Sequence, residues 1–385
     1  MYQIQTYNKI SPAGLTRFGE TYTVGDNISN PDAILVRSAA LHEIEFPKSL
    51  KAIARAGAGV NNIPLERCSE AGICVFNTPG ANANAVKELV LTGLLLSSRK
   101  VPEALNWAAG LDGEGDGIGK LVEKGKSQFA GPEIQGKTLG IIGLGAIGAL
   151  VANAAVALGM QVVGNDPFLS VSAALRLNPA VQVVKTQDDV FAKADYLTIH
   201  VPYHPDTKGM INQETLSKCK DGVRILNYAR GELVDDDAIL AALESGKVSF
   251  YCTDFPNAKT CNKKGIIATP HLGASTPESE DNCASMAAEE LMAYLERGDI
   301  RNSVNLPNAQ LATVYTKVCV IHRNVPTMIS SMTSVIGKTG ANIENMLNAS
   351  KKDYAYTILD VDGVTDAMAD ALRTIDGVLG VRVID

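Results

Sequence analysis

Apolar positions along this chain fall into recurring rhythms that outline its architecture. Short apolar runs at residues 33–37 (AILVR), 52–56 and 73–76 sit between polar or helix-like stretches. That is the βα rhythm of a parallel sheet, whose strands are buried on both faces and read as unbroken apolar runs. Residues 86–99 (VKELVLTGLLLSSR) predict a long apolar helix. The Gly- and acid-rich stretch 109–119 (AGLDGEGDGIG) predicts a surface loop. A second βα series follows, with strands expected at 137–142, 161–165, 196–201, 223–227, 249–254 and 266–269 and helices at 146–158 and 277–297.

A third pattern begins after Leu306-Pro307. Strand-like runs at 316–321, 342–349, 354–360 and 378–384 alternate with helical runs at 326–338 and 366–373. The order βαββαβ is that of a ferredoxin-like module. The fold class expected is therefore α/β: two Rossmann-like or flavodoxin-like domains with parallel sheets, plus a C-terminal ferredoxin-like βαββαβ domain.

Composition narrows the function classes. Hydrophobic residues make up 46% and charged residues 20% of the 385, enough to bury cores and too apolar for disorder. A net charge of −7 argues against nucleic acid as a partner, although a few local cations can still hold an anionic substrate. No apolar run reaches the roughly 18 residues that span a bilayer. The opening MYQIQTYNKI has neither a basic region nor an apolar core of a secretory signal, so a cytoplasmic protein without membrane attachment is expected. Seven scattered cysteines form no CxxC pair; they read as reduced thiols, and no metal site is expected.

The clearest candidate chemistry is at 137–148, KTLGIIGLGAIG. Gly143, Gly145 and Gly148 form G-x-G-x-x-G between an apolar strand and a helix. The first glycine permits the tight turn, the second lets the backbone approach a diphosphate, and the third lets helix and strand pack closely. The diphosphate would then lie on free N–H groups at the helix N-terminus. Asp166 ends the next strand, where a carboxylate accepts ribose hydroxyls and repels a 2′-phosphate. No Arg follows it in Pro167-Phe168-Leu169, so NAD is expected rather than NADP.

Three ordered segments, 136–148, 227–235 (NYARGELVD) and 269–276 (TPHLGAST), resemble the signatures of the D-2-hydroxyacid dehydrogenases, and the resemblance covers nearly the whole chain. It implies a discontinuous substrate-binding domain, 1–99 with 273–305, an inserted NAD-binding domain, 100–272, and a nicotinamide site in the cleft between them. Ala146 and Ile147 join the three glycines and Asp166 as implied dinucleotide contacts. His200, Val201 and Pro202 fall at a cofactor-lining strand end, Ala229 at the turn facing the nicotinamide ring, Asp254 on the acid that binds its carboxamide, and Gly273 beside them. The family's catalytic Arg falls on Arg230 and its catalytic His on His271. A guanidinium suits the acid group beside the reacting carbon, because its planar fork binds a carboxylate bidentately. An imidazole suits removal of the hydroxyl proton when hydride leaves C2. His42 and His204 read as surface loop residues.

One departure stands out. The family usually pairs the His with a Glu a few residues beyond the Asp254 position, yet no Glu occurs between Glu244 and Glu278. Three replacements are open: His271 acting alone, a distant acid brought in by folding, or Lys259 or Lys263 entering the site after desolvation lowers its pKa.

Substrate features point to a phosphorylated 2-hydroxy acid. Arg37 and Ser38 resemble the phosphate-contacting pair of the family's phosphoglycerate-acting members. Residues 55–62 (RAGAGVNN) resemble the loop whose amides hold the substrate carboxylate, with Ala58, Gly59 and Val60 as candidates. Asn82 and Asn84 lie in the matching loop, and Lys124 and Lys126 are further cations for the phosphate. Residues 321–326 (IHRNVP) and 340–345 (GANIEN) resemble an ACT regulatory domain, expected over 312–385. Its matched L-serine positions are His322, Asn324 and Asn342, although Thr327 stands where the family often has Gly. The leading expectation is NAD-dependent oxidation of such a substrate by a homodimer or homotetramer. The rivals are a glyoxylate or hydroxypyruvate reductase and a non-catalytic NAD(H)-sensing protein.

Overall fold

The computed structural model describes residues 1–384. By contact, the chain divides into two compact units, one made of Met1–Asn82 with the segment from Pro277 onward, the other of Ala83–Thr276.

The first unit opens with five parallel strands: β1 (Tyr2–Tyr7), β2 (Tyr22–Gly25), β3 (Ala33–Val36), β4 (Ala52–Arg55) and β5 (Cys74–Phe76). Their spatial order, β2-β1-β3-β4-β5, is the flavodoxin-like doubly wound order. The helix Pro277–Arg297 returns onto this sheet, and its Ala284, Ala287, Leu291 and Tyr294 share a core with Ile4, Leu35, Ala54 and Phe76. Small residues set the fit of the short helix Pro12–Leu15 here, where a Cβ on Gly14 would come within 2.5 Å of the Ala284 backbone.

The second unit holds seven parallel strands: β6 (Thr138–Ile142), β7 (Gln161–Asn165), β8 (Gln182–Val183), β9 (Tyr196–Ile199), β10 (Val223–Asn227), β11 (Val248–Thr253) and β12 (Ile266–Ala268). The order β12-β11-β10-β9-β6-β7-β8 reverses at β6, which creates a topological switch point between the ends of β6 and β9. Ligands of open α/β sheets bind outside the carboxyl ends of strands at such a point.

Two expectations change here. The apolar helix Ala83–Arg99 was expected in the substrate domain. It packs Val86, Val90 and Leu94 against Leu139, Ile141, Leu226 and Cys252 of the second sheet, so the boundary lies before it rather than at residue 99. The expected loop 109–119 is interrupted by a 3₁₀ turn, Gly115–Gly117, and the start of the helix Ile118–Gly125. The helices Val101–Ala109 and Ile118–Gly125 bury no residue at all.

The third sheet completes the first unit: β13 (Thr316–Arg323), β14 (Ile343–Lys351), β15 (Tyr354–Val361) and β16 (Val378–Ile384), antiparallel in the order β14-β15-β13-β16. This is the ferredoxin-like arrangement expected. Alternation along β13 sends Val318 and Val320 to one face and Cys319 and Ile321 to the other. The helices Met328–Gly337 and Asp366–Arg373 cover the first face. Cys319, Ile321, Tyr356 and Ile358 on the second face enter the core shared with Phe76 and Tyr294. The segment expected as a domain over 312–385 packs into the first unit, because its sheet is apolar on both faces. Polar groups lock the seam. Arg382 donates to the Tyr294 and Leu295 carbonyls (3.0 and 2.7 Å) and Lys317 to that of Arg297 (2.6 Å). These carbonyls lie at the C-terminal end of the Pro277–Arg297 helix, whose partial negative charge attracts cations.

Candidate active site

The glycine loop sits where the second sheet's switch point requires it. Gly143 adopts φ +91°, and a Cβ there would lie 2.6 Å from the His200 carbonyl oxygen. A Cβ on Gly148 would lie 2.0 Å from the Gly143 oxygen, so strand end and helix touch through bare backbone. Gly145 caps the helix Ala146–Ala157, and its absent Cβ would meet nothing within 4 Å. Ala149 makes the helix's first bond, to the Gly145 carbonyl (3.0 Å), so the amides of Ala146 and Ile147 have no intrahelical acceptor. The open space over Gly145 is therefore lined by N–H groups at a helix N-terminus, a cradle for a diphosphate.

Asp166 is fixed by two amides, Leu144 N–H to Oδ2 and Phe168 N–H to Oδ1, both 2.9 Å, which bring the carboxylate back against the loop. His200 follows β9, and burial drives its pKa down to about 3, so the ring is neutral. One ring nitrogen meets Thr198 Oγ1 at 3.0 Å, while Nδ1 is buried without a partner. Val201 and Pro202 continue the same strand end. Asp254 is 1% exposed. Its Oδ2 accepts the Gly273 amide (3.1 Å) and its Oδ1 has no partner. Burial raises its pKa above the usual carboxylate range, although neighbouring His271 opposes that. Buried polar atoms are nearly always hydrogen-bonded, so these two orphans match the polar edge of a bound cofactor. Open glycine cradle, ribose acid and an orphaned acceptor for a carboxamide together fit NAD.

The turn after β10 presents Arg230. Asn227 shapes it, donating to the Arg230 carbonyl (2.8 Å) and accepting the Ala229 amide (3.2 Å). The Arg230 side chain is exposed, with one nitrogen donating to the Ala229 carbonyl (2.6 Å) and no carboxylate paired with it among the described residues. His271 is also exposed and packs against the Phe255 ring, with centroids 4.7 Å apart. Among the described residues no acid hydrogen-bonds the His271 imidazole. Of the candidate substitutes, Lys259 is exposed and gives its ammonium to Asp237 (2.7 and 2.8 Å), and Lys263 is exposed. Phe255, a contact the linear sequence did not suggest, holds the imidazole by packing instead.

In the first unit, Arg37 follows β3, and Asn8 Oδ1 caps the turn by accepting the Ser38 and Ala39 amides (2.9 and 2.6 Å). The Arg37 guanidinium is ion-paired with Glu280. Ala58, Gly59 and Val60 lie in the loop after β4, and their amides have no acceptor among the described residues. A row of free N–H groups in a turn is an anion-binding nest. Arg55, which sequence reading passed over, ends β4 and donates to the carbonyls of Arg37 (2.9 Å) and Gly59, which joins the two loops. Its position at a parallel strand's carboxyl end was the available signal. Asn82 closes the first unit, and Asn84 is taken up by Glu88 and Lys87 within its own helix. Lys126 pairs with Glu123 on the exposed excursion that also carries Lys124.

The third-sheet candidates are spoken for internally. His322 is 2% exposed, with ring nitrogens on the Arg323 carbonyl and Thr357 Oγ1, both 2.8 Å. Asn324 donates to the Lys352 carbonyl (3.0 Å) and Asn342 to Glu344 (3.4 Å). Thr327 adopts φ +71°, the left-handed conformation that explains why glycine suits this position.

Comparison with known proteins places this arrangement. A family model described as "D-isomer specific 2-hydroxyacid dehydrogenase, NAD binding domain" matches residues 94–273. The D-3-phosphoglycerate dehydrogenase of Bacillus subtilis is 34% identical over 339 residues, 86% of this chain and 60% of that protein. That of Mycobacterium leprae is 33% identical over 91% of this chain and 67% of its own length. The chain thus spans three fifths to two thirds of these curated relatives. The crystal structure of NAD+-bound 3-phosphoglycerate dehydrogenase from Entamoeba histolytica superposes with a TM-score of 0.62 and 27% identity, over 79% of this chain and 98% of that one.

Proposed function

The chain belongs to the D-isomer specific 2-hydroxyacid dehydrogenase family, and from that premise we propose that it catalyses NAD-dependent oxidation of 3-phospho-D-glycerate to 3-phosphohydroxypyruvate, the entry step of serine synthesis. The observation that carries the reading is the second unit's set: an open glycine cradle, Asp166 beside it, a buried unpaired Asp254 oxygen, and an exposed Arg230 without a counter-ion.

Arg230 binds the substrate carboxylate through two parallel N–H bonds and, being always charged, polarises the C2 oxygen at any working pH. His271 takes the C2 hydroxyl proton as the C2–H bond breaks, leaving a ketone. When bound, NAD supplies the acceptor for the hydride leaving C2. Gly145, Ala146 and Ile147 hold the diphosphate, Asp166 the adenosine ribose, and Asp254 the carboxamide. Ala58, Gly59 and Val60 bind anionic oxygens with their amides, and Arg37 and Arg55 neutralise the phosphate. The third sheet is read as an ACT-type module responsive to L-serine, and a serine titration that moves neither activity nor stability removes that part. The helices of the 101–129 excursion, with no buried residue and with Leu105 64% exposed, support a homo-oligomer in which a second copy covers them.

The test is NADH absorbance with 3-phosphoglycerate, and with phosphohydroxypyruvate in the reverse direction. Folded protein silent in both directions defeats the reading. The Arg37–Glu280 pair favours a second reading, an unphosphorylated substrate such as glyoxylate or hydroxypyruvate, since it occupies the cation meant for phosphate. Faster turnover on those acids would select it. No helix among the described residues is long and apolar enough to cross a membrane.

A further inference from the structure

We propose that the first unit carries a second binding site, for a small organic anion bearing a carboxylate or phosphate, in the seam between its parallel sheet and its third sheet. The seam carries an open groove of about 520 Å³ lined by Asn77, Asn302, Ser303, Asn308, Ser350 and Lys351, with Leu306 and Pro307 as apolar neighbours. That volume suits a metabolite-sized ligand. Three parts of the chain meet there: the residue after β5, the connecting segment 302–308, and the end of β14.

The lining has one sign of charge. Lys351 is its only ionised group, and no Asp or Glu borders the cavity. The Lys351 ammonium donates to one acceptor, the carbonyl of buried Ser303 (2.9 Å). It makes no ion pair among the described residues, unlike the ammonium of Lys51, Lys218, Lys220, Lys247 or Lys259. Desolvation, with a further push from neighbouring Lys352, lowers its pKa. The Lys351 side chain is exposed at the rim of the seam, so an anion there meets a cation that no carboxylate neutralises. The surrounding amides and hydroxyls supply neutral hydrogen bonds for the rest of the ligand. Asn302 is held with φ +55°, its Nδ2 donating to Glu290 (2.7 Å), and Asn77 donates from Nδ2 to the Ala58 carbonyl (2.5 Å). The cavity wall therefore makes one hydrogen bond to the anion-binding loop after β4. A ligand pressing on Asn77 acts on that loop directly.

The site is distinct from His322, Asn324 and Asn342, and its existence does not depend on the dehydrogenase reading. The experiment is calorimetric titration of the full chain with inorganic phosphate and, separately, succinate, at fixed ionic strength. An Arg37→Ala chain run in parallel removes phosphate taken up by the first loop. We expect saturable binding of at least one probe that survives Arg37→Ala and weakens tenfold or more in Lys351→Gln and in Ser350→Asp. Lys351 also holds the Ser303 oxygen, so Ser350→Asp, on an exposed residue, carries the test independently. Phosphate alone binding assigns a phosphate ester, and succinate binding assigns a carboxylate. Absence of saturable binding, or binding that Ser350→Asp and Lys351→Gln leave unchanged, overturns the proposal.

Discussion

Replacing Glu290 by Gln should stabilise the protein, and by an amount that depends on pH in a stated direction. Glu290 sits on the Pro277–Arg297 helix with 6% exposure. Its Oε1 accepts Asn302 Nδ2 at 2.7 Å, and its Oε2 is buried without a partner. Burial, opposed by the Asn302 bond and aided by adjacent Glu289, raises its pKa from 4.5 to about 8. The folded protein therefore keeps a proton that the unfolded chain releases above pH 4.5. Protons bound are more numerous in the native state over that window, so stability falls as pH rises from 4.5 and levels off past about 8. Each pH unit inside the window costs roughly 1.4 kcal/mol, which accumulates to about 3 kcal/mol at pH 7. Glutamine keeps an acceptor for Asn302 and cannot ionise. Glu290→Gln should thus gain roughly 2–3 kcal/mol at pH 7, the lower figure allowing for imperfect burial of its NH₂. The gain should shrink towards zero near pH 4.5. Urea unfolding of both proteins near pH 5, 6 and 7 measures it, and every group common to the two cancels in the difference. An advantage equal at all three pH values, or none at any, refutes the reasoning.

Three further outcomes bear on the site and the fold. Gly145→Val should leave the unfolding midpoint unchanged, since a side chain there meets only open space, yet weaken NADH binding about 100-fold, close to 2.7 kcal/mol; fluorescence titration of NADH reads it, and retained affinity would place the diphosphate elsewhere. Arg230→Gln should lower kcat/KM by roughly 10³ while NADH affinity stays near wild type, because the guanidinium serves substrate and not cofactor; steady-state kinetics with unaltered turnover would remove Arg230 from the chemistry. Thr327→Gly should raise stability by about 0.5–1 kcal/mol by relieving a β-branched residue at φ +71°, less the entropy glycine gains on unfolding; denaturant unfolding checks the sign.

What sequence revealed about this molecule follows from which constraints are local. The runs at 33–37 and 52–56 were readable because both faces of a central parallel strand are buried, so the positions ahead of Arg37 and Arg55 at the strand ends are all apolar. β1 (YQIQTY) and the edge strand β2 escaped notice because glutamine and threonine dilute their runs. The glycine loop was legible in full, since Gly148 answers to Gly143, Gly143 to the next strand end, and Gly145 to the open space that a ligand needs. The helix Ala83–Arg99 was visible as an element and misassigned as to partner, because an apolar face records that it is buried and not which sheet buries it. Arg55 and Phe255 were overlooked for a related reason: their meaning lies in the Gly59 carbonyl and the His271 ring, contacts made only by folding.

The same distinction explains why the third sheet cannot be treated as an appendage. Its Arg382 and Lys317 hold the C-terminal carbonyls of the Pro277–Arg297 helix, and Arg382 also lies over the Tyr294 ring at 4.4 Å. At the helix's other end, Glu280 pairs with Arg37 and Asp281 takes the Ser11 hydroxyl. A helix of 21 residues is a stiff rod of about 31 Å, so its two ends share one displacement. Loosening the two cations would leave the Arg297 carbonyl without its donor, at a cost of about 1–3 kcal/mol, while the Tyr294 and Leu295 carbonyls keep the Gly298 amide (2.9 Å) and the Tyr2 hydroxyl (2.8 Å), so the sheet and the helix are coupled through that one carbonyl and the packed core between them. Between those ends lies Glu290, bonded to Asn302 in the wall of the seam cavity. Glu280, which holds Arg37, and the buried acid Glu290 thus belong to one rigid element, to which the Glu290–Asn302 bond ties the cavity wall. A ligand that reseats the third sheet would act on Arg37 through that helix and through Arg55, which joins the Arg37 carbonyl to the amide loop, and on that loop through the Asn77–Ala58 bond.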